Sequence, residues 1–424
     1  MNQQPQQRGR HLVAADRRFA TGAGLLARLT AGGFGRLLDR IDDGLLQGSI
    51  EVHLPDGSTR MLGGRSPGPN ALVRIASWRA LIRLLTSGSV GWYKAWALEE
   101  WSSPDPVSLF DLFMRNGEGL GNVGRAKGLA RQINRLAHAF RGNNRKGSRR
   151  NIAFHYDLGN DFYGAWLDRE MTYSSAIFAE PISDAEPLED AQVRKIRTLL
   201  DRLDLEPNQR LLEIGCGWGS LAEIAARDYG VNVTGLTLST EQKAYADGRM
   251  REAGLDEQVE IRICDYRDVD GSFDAVASVE MVEAVGQPYW PSYLKSIARV
   301  LKPGGKAALQ LISIHEPFFE GYAANADFIQ TYIFPGGLLI SEKRFRAIAE
   351  EAGLEWRDRK GYALHYAETL KRWRARYNLA VVQARLPDGF DEPFHELWRF
   401  YLMYCEGGFR GGGIDVAQVT LVRR

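Results

Sequence analysis

Leu211-Leu212-Glu213-Ile214-Gly215-Cys216-Gly217-Trp218-Gly219 is the stretch that decides the fold. The apolar run from Arg210 to Ile214 reads as a short buried strand. Glycines at alternate positions 215, 217 and 219 then make a tight turn. From Ser220 to Arg227 the period becomes helical, with Leu221, Ile224 and Ala225 on one face. Strand, glycine turn and helix together open a βαβ unit of the nucleotide-binding kind. The glycines let a ligand approach the backbone, and the helix start presents free N–H groups to it. Ser220 stands where a dinucleotide fingerprint would have its third glycine, so a dinucleotide site and a merely structural turn both stay open at this point.

Working outward, the pattern repeats. Strands are expected at Val231–Leu236, Val259–Ile263, Phe273–Val279 and Lys306–Ile314, with a closing strand at Ala417–Val422. Helices are expected at Tyr293–Leu301 and Phe345–Ala352, and Ser239 or Thr240 is placed to cap another. Such alternation makes a parallel α/β sheet, and its ligands sit beyond the carboxyl ends of the strands. Gly215, Thr237, Asp265, Glu280 and Ser313 fall at those ends. An acid for ribose hydroxyls is expected about 20 residues past the first glycine. Thr237 stands there instead, followed by Glu241 and Gln242.

A chain of 424 residues calls for two or three domains. The expected division is a mobile basic start at 1–34, a small α+β module at 35–117, a basic amphipathic linker helix at 118–150, and a catalytic α/β domain at 151–424. The module contains helical spacing at Leu37, Leu38, Ile41 and Leu45, and a hairpin turning at Pro55-Asp56-Gly57. It carries no catalytic constellation, and reads as a scaffold or as a lipid-contacting or dimerising element. Three cysteines, Cys216, Cys264 and Cys405, make no disulfide framework and no metal-binding spacing, which points to a reducing compartment. Residues 1–10 are polar and lack an apolar signal core, and no apolar run nears the ~18 residues that span a bilayer. A cytoplasmic, peripherally membrane-associated protein is the expectation.

The formal charge of +1 hides an asymmetry: residues 1–150 carry +12 and the remainder −11. The excess peaks at Arg125, Lys127, Arg131, Arg135, Arg141, Arg145, Lys146, Arg149 and Arg150, interleaved with Leu129, Ile133, Leu136 and Phe140 at helical spacing. A basic amphipathic helix reads as a membrane-surface element or as a solvated linker packed on the next domain. Each basic side chain near an anionic leaflet contributes about 1 kcal/mol. Phe140 is the one Phe, Tyr or Trp in this stretch, which makes no run of aromatics to stack bases, so nucleic acid is not an expected partner.

Several phrases agree with one family. They are His155-Tyr156-Asp157-Leu158-Gly159-Asn160-Asp161-Phe162, Met171-Thr172-Tyr173-Ser174-Ser175, the glycine turn with Glu213 two residues upstream of it, Gly235-Leu236-Thr237-Leu238-Ser239 with Gln242, Met281-Val282-Glu283-Ala284-Val285-Gly286, and Tyr401-Leu402-Met403-Tyr404-Cys405 before Phe409-Arg410. The glycine turn resembles motif I of S-adenosylmethionine (AdoMet) methyltransferases. The whole set resembles the cyclopropane-fatty-acyl-phospholipid synthases and the related mycolic-acid cyclopropane synthases and fatty-acyl methyltransferases. That resemblance implies a Rossmann-like sheet with a helical lipid-binding insertion. It implies transfer of the AdoMet methyl carbon to the double bond of an unsaturated phospholipid acyl chain at an anionic membrane surface. It implies that Tyr173 and Ser174 meet the methionine end of AdoMet, with Glu213, Gly215, Gly217 and Gly219 in the motif. Thr237, Leu238 and Gln242 hold the ribose region, and Asp265 and Tyr266 flank the adenine. Glu283, Tyr366 and Ser175 fall on a site for bicarbonate, the implied base. Cys405 matches a cysteine credited to the active site, although the reaction needs no thiol nucleophile and a free cysteine in an apolar helix is more often packing.

Two positions depart from the family pattern. Ser175 stands where a cysteine is common, and Ile312 where a histidine is common. Ile312 has no side-chain donor or acceptor. The resemblance implies a cyclopropane fatty acyl chain as the product, with a methyl- or methylene-branched chain as the alternative that these departures leave open. Methyl transfer to the alkene leaves a carbocation; loss of a proton from the added methyl closes a cyclopropane or leaves a methylene on the added carbon, and loss from the acyl chain gives a methyl-branched alkene. Holding the alkene ~3–3.5 Å from the methyl can supply ~7–11 kcal/mol of the barrier. Aromatic faces, with Tyr173, Phe178, Tyr322, Phe328, Tyr332 and Phe334 as candidates, can stabilise the cation by ~2 kcal/mol each. A non-catalytic lipid-binding protein of the same fold is the alternative from another class, as a homodimer is for assembly.

The basic stretch generates the first prediction. Sedimentation with anionic vesicles is expected to show binding that weakens as salt rises past ~0.15 M, where the Debye length is about 8 Å. Replacing Arg141, Arg145, Lys146, Arg149 and Arg150 with Gln is expected to weaken it further. Equal binding to neutral and anionic vesicles at every salt concentration refutes the electrostatic account.

Overall fold

The computed structural model describes residues 8–14, 31–121, 158–325 and 327–424. Most of the expected linker helix and the first three residues of the His155–Phe162 phrase lie outside them. The described chain falls into two compact units. The first comprises residues up to Arg141, His315–Pro335 and Asp388–Ile414. The second comprises Gly142–Ile314, Gly336–Pro387 and Asp415–Arg424. The expected cut near residue 150, with 151–424 in one body, is therefore corrected. Two segments that follow strand β9 in sequence fold with the N-terminal unit, and a linear reading cannot separate such insertions from ordinary connections.

In the first unit, β1 (Ser49–His53) pairs antiparallel with β2 (Thr59–Gly63) and parallel with β3 (Asn70–Ile75), which pairs with the short β4 (Trp101–Ser102). The hairpin and the third strand stand where the alternation placed them. The helix Arg79–Ala97 is broken at Gly88, whose φ of 58° no regular helix contains. Helices Pro106–Arg115 and Glu392–Arg410 pack together in this unit. Rings fill its core: Tyr93 lies 5.0 Å from Phe328, 4.7 Å from Tyr332 and 5.1 Å from Phe400, centroid to centroid.

The second unit is built on seven strands. They are β5 (Arg210–Ile214), β6 (Asn232–Thr237), β7 (Val259–Ile263), β8 (Phe273–Val279), β9 (Leu301–Ile314), β10 (Leu354–Gly361) and β11 (Ile414–Arg423). Their order is β10-β11-β9-β8-β5-β6-β7. β5 pairs in parallel with β6 and β8, β6 with β7, and β8 with β9, whereas β10 and β11 pair antiparallel. Every strand expected in this sheet is present within a few residues, and β10 is an addition. The polar sequence of β10, with residues 357–361 exposed, left no apolar period to read. The doubly wound α/β fold is thus as expected, with the strand order reversing about β5 and β8. Leu211, Leu212, Val276, Ala277, Ala308 and Leu309, at the sheet centre, are at most 2% exposed.

Candidate active site

β5 ends in a left-handed turn. Gly215, Gly217 and Gly219 have φ of 85°, 52° and 87°. The N–H groups of Gly215 and Cys216 both donate to the Leu236 carbonyl, at 3.0 and 2.9 Å, which ties the turn to β6. A Cβ at Gly217 would meet nothing within 4 Å, because that backbone faces a cavity. A Cβ at Gly219 would lie 3.1 Å from Ala246 and Met250, so this glycine serves helix packing. Gly219 is the one motif residue that does not line the cavity, and its expected place in the site is corrected on that ground.

The cavity sits at the carboxyl ends of β5 to β8. Tyr173, Ser174, Glu213, Gly215, Gly217, Thr237, Leu238, Gln242, Asp265 and Tyr266 all line it. Thr237 donates through Oγ1 to Gln242 Oε1 at 2.8 Å, while Ser239 caps the helix by accepting from Gln242 N. Asp265 is held by the Arg267 guanidinium at 2.8 and 2.6 Å. The Arg267 guanidinium also lies over the Tyr266 ring, 5.3 Å from its centroid. Among the described residues Glu213 Oε2 is buried with no hydrogen-bond partner, and burial pushes that carboxyl up to about 8 against the pull of Lys195. An open glycine backbone, an unpartnered carboxyl oxygen and paired hydroxyl and amide groups suit a ligand carrying an amine and a ribose.

Lys195 was not foreseen. It rises from the helix Leu188–Leu200, is 1% exposed, lines the cavity and donates to Ser174 Oγ at 2.6 Å. Burial lowers its ammonium to about 8, with Glu280, Asp168 and Glu213 opposing. In the sequence it is one basic residue of an amphipathic helix, where only the fold reveals which face is buried.

The residues expected around bicarbonate are arranged differently. Tyr366, from helix Ala363–Val382, donates its hydroxyl to Glu280 Oε2 at 2.7 Å, not to Glu283. The Ser175 N–H donates to Glu280 Oε1 at 2.9 Å, and Gln310 Nε2 donates to the same oxygen at 2.8 Å. Glu280 lines the cavity, and Glu283 does not. Glu283 Oε1 accepts from Ile312 N at 2.5 Å, and its Oε2 has no partner among the described residues. Burial and the neighbouring Glu280 raise Glu283 to about 8. Burial raises Glu280 too, while Gln310, Ser175, Lys195 and Tyr366 pull it back. Burial thus raises both acids, and the counterion and the three donors that oppose it fall to Glu280.

Cys405 lies in helix Glu392–Arg410 of the other unit and does not line this cavity. Burial raises its thiol far above neutral pH, so it is no thiolate there. Among the candidate aromatics, Tyr173 lines the cavity. Phe178 lies under the Arg372 guanidinium, at 4.4 Å, and Tyr322, Phe328, Tyr332 and Phe334 belong to the other unit.

A family model described as mycolic acid cyclopropane synthetase matches residues 143–419. The chain belongs to this family. The tuberculostearic acid methyltransferase UfaA1 of Mycobacterium tuberculosis is 39% identical over 361 residues, 84% of this chain and 82% of that protein. The cyclopropane-fatty-acyl-phospholipid synthase of Escherichia coli is 37% identical over 270 residues, 63% of this chain and 66% of that protein. The crystal structure of mycolic acid cyclopropane synthase CmaA1 with SAH and CTAB superposes with a TM-score of 0.60 at 30% identity, covering 65% of this chain and 98% of CmaA1. Like the family, this chain is an AdoMet-dependent methyltransferase. Among the described residues no helix is long and apolar enough to cross a membrane.

The acid pair sets a pH dependence. Glu283 binds its proton more tightly folded than unfolded, so its contribution to stability is complete below about 4.5 and is lost as pH rises to about 8. One such proton changes stability by at most about 1.4 kcal/mol per pH unit. Thermal melts are expected to fall from pH 5 to pH 8, and Glu283→Gln is expected to flatten that fall. An unchanged slope in the variant removes Glu283 as the titrating group.

Proposed function

We propose that this enzyme transfers the AdoMet methyl carbon to a double bond of an unsaturated phospholipid acyl chain, and that the product is a methyl- or methylene-branched chain. The observation that carries the branched product is the extent of likeness to the tuberculostearic acid methyltransferase, which takes in 84% of this chain. The likeness to the Escherichia coli cyclopropane synthase takes in 63%. Cyclopropane formation is the second reading, favoured by the family model and by CmaA1. The lipid is met at an anionic membrane surface through the basic residues of 118–150.

AdoMet supplies an electrophilic methyl group on a sulfonium. In this reading Tyr173 and Ser174 meet its methionine end, and Glu213 faces the same end from β5. Gly215 and Gly217 let it approach the backbone. Thr237, Leu238 and Gln242 hold the ribose, with Thr237 and Gln242 already paired in the required place. Asp265, held by Arg267, and Tyr266 flank the adenine. The cavity's orienting groups are fixed before the lipid arrives, so little side-chain freedom is lost on binding.

Two measurements test this. Gly217→Val fills the open space at the turn, and calorimetry is expected to show AdoMet affinity weakened more than tenfold, above about 1.4 kcal/mol; unchanged affinity in a folded variant removes the turn from the site. Mass spectrometry of unsaturated phospholipid incubated with methyl-deuterated AdoMet reads the product. Loss of one deuterium marks a cyclopropane or a methylene on the added carbon, which a ring-opening reaction separates, and full retention marks a methyl branch. Unlabelled lipid refutes acyl transfer.

A further inference from the structure

The groups expected to hold bicarbonate already hold a carboxylate of the chain itself. The Tyr366 hydroxyl and the Ser175 N–H, with Gln310, grip both oxygens of Glu280 where Glu280 faces the AdoMet cavity. Bicarbonate and a glutamate side chain present the same anionic O–C–O head to such donors. We propose that Glu280 is the base of the reaction: its own carboxylate, and not a bound bicarbonate, removes the proton from the alkylated acyl cation.

The hydrogen bonding leaves an oxygen for the task. Oε1 accepts from both Ser175 and Gln310 and is filled. Among the described residues Oε2 accepts from Tyr366 and keeps a lone pair. The backbone supports the assignment independently. Glu280 has φ of 49°, in the left-handed region that favours glycine, so the fold tolerates strain to set a carboxylate at the end of β8. Its surroundings fix it from three elements: Gln310 on β9 is itself held by Gln418 Nε2 at 3.0 Å, Tyr366 comes from a helix, and Lys195 faces it from another. In the step, a C–H bond of the cation breaks and its electron pair forms the new C–C or C=C bond. The proton passes to Oε2, and leaves to water when product departs. No further reactant is needed.

The inference rests on the acyl-transfer reading, and the test separates the two. The full chain is given vesicles of dioleoyl phosphatidylglycerol and methyl-deuterated AdoMet, in buffer freed of carbon dioxide and again with bicarbonate. Wild-type turnover is expected to be the same in both. Glu280→Gln is expected to lose about 10²–10⁴-fold in turnover with AdoMet affinity retained by calorimetry. Glu280→Gly, whose backbone fits the left-handed position, is expected to melt no lower than wild type and to regain turnover when bicarbonate or formate refills the vacated donors. A wild type that needs bicarbonate, an active Glu280→Gln, or a folded Glu280→Gly unmoved by either anion overturns the assignment while acyl transfer stands. A wild type that labels no lipid overturns acyl transfer, and the assignment with it.

Discussion

Lys195 is the interaction on which the site depends. A lysine 1% exposed is stable in its charged form only beside opposite charge, and Asp168, Glu213 and Glu280 supply it. In return the ammonium lowers the proton affinity of Glu213 and Glu280, both raised by burial. Glu283 has no such counterion among its influences. Its neighbour Glu280 raises it further, and one backbone N–H is its partner. Burial raises both acids, but their partners are unequal: Glu280 has a counterion and three donors, and Glu283 a single backbone N–H. Enzymes set acid and base roles by that kind of asymmetry. Asp168 has a second duty: both its oxygens accept from Thr172, which fixes the loop that carries Tyr173 and Ser174 into the cavity.

The sheet was legible because its central strands are short, apolar and interrupted by glycine or acid at their ends. β5, β7 and β8 have the expected bounds, and β6 shifts by one residue. Elements with weaker periodicity escaped. The helix Leu188–Leu200 is amphipathic, but its buried face carries Lys195 and Gln192 beside the apolar residues, and no local pattern assigns those two to the interior. The helix Arg79–Ala97 continues past Gly88 because residues on both sides of the break are buried, a tertiary gain that outweighs the local loss of about 1 kcal/mol. The interleaving of the two units depends on contacts between distant segments, which no local pattern records.

At the site, the AdoMet side was more legible than the proton-removing side. Glycines, strand ends and the Thr237–Gln242 pair are marked by position along a βαβ repeat, and the chain's connectivity almost determines where they go. The partner of a buried acid is set by side chains arriving from sequence-distant elements. Glu280 was visible as an acid at the end of β8, yet nothing local says that residues 175, 310 and 366 converge on it. The motif around Glu283 points to that residue, and only the fold shows that Glu280, three residues away, is the one that lines the cavity.

The two departures from the family pattern also take on a physical meaning. Ser175 and Ile312 differ from the family in their side chains, but the structure uses neither side chain to hold an acid. Ser175 turns its hydroxyl to the Ala176 carbonyl, at 3.0 Å, and offers Glu280 its main-chain N–H. Ile312 likewise offers Glu283 its main-chain N–H. Backbone donors survive any substitution except proline, and their direction is fixed by β9 and by the loop before the helix Leu188–Leu200. A base carried on the chain needs fewer side-chain donors than a free anion, because the covalent tether already restrains its position. Serine for cysteine at 175 and isoleucine for histidine at 312 are therefore what the proposed built-in carboxylate permits.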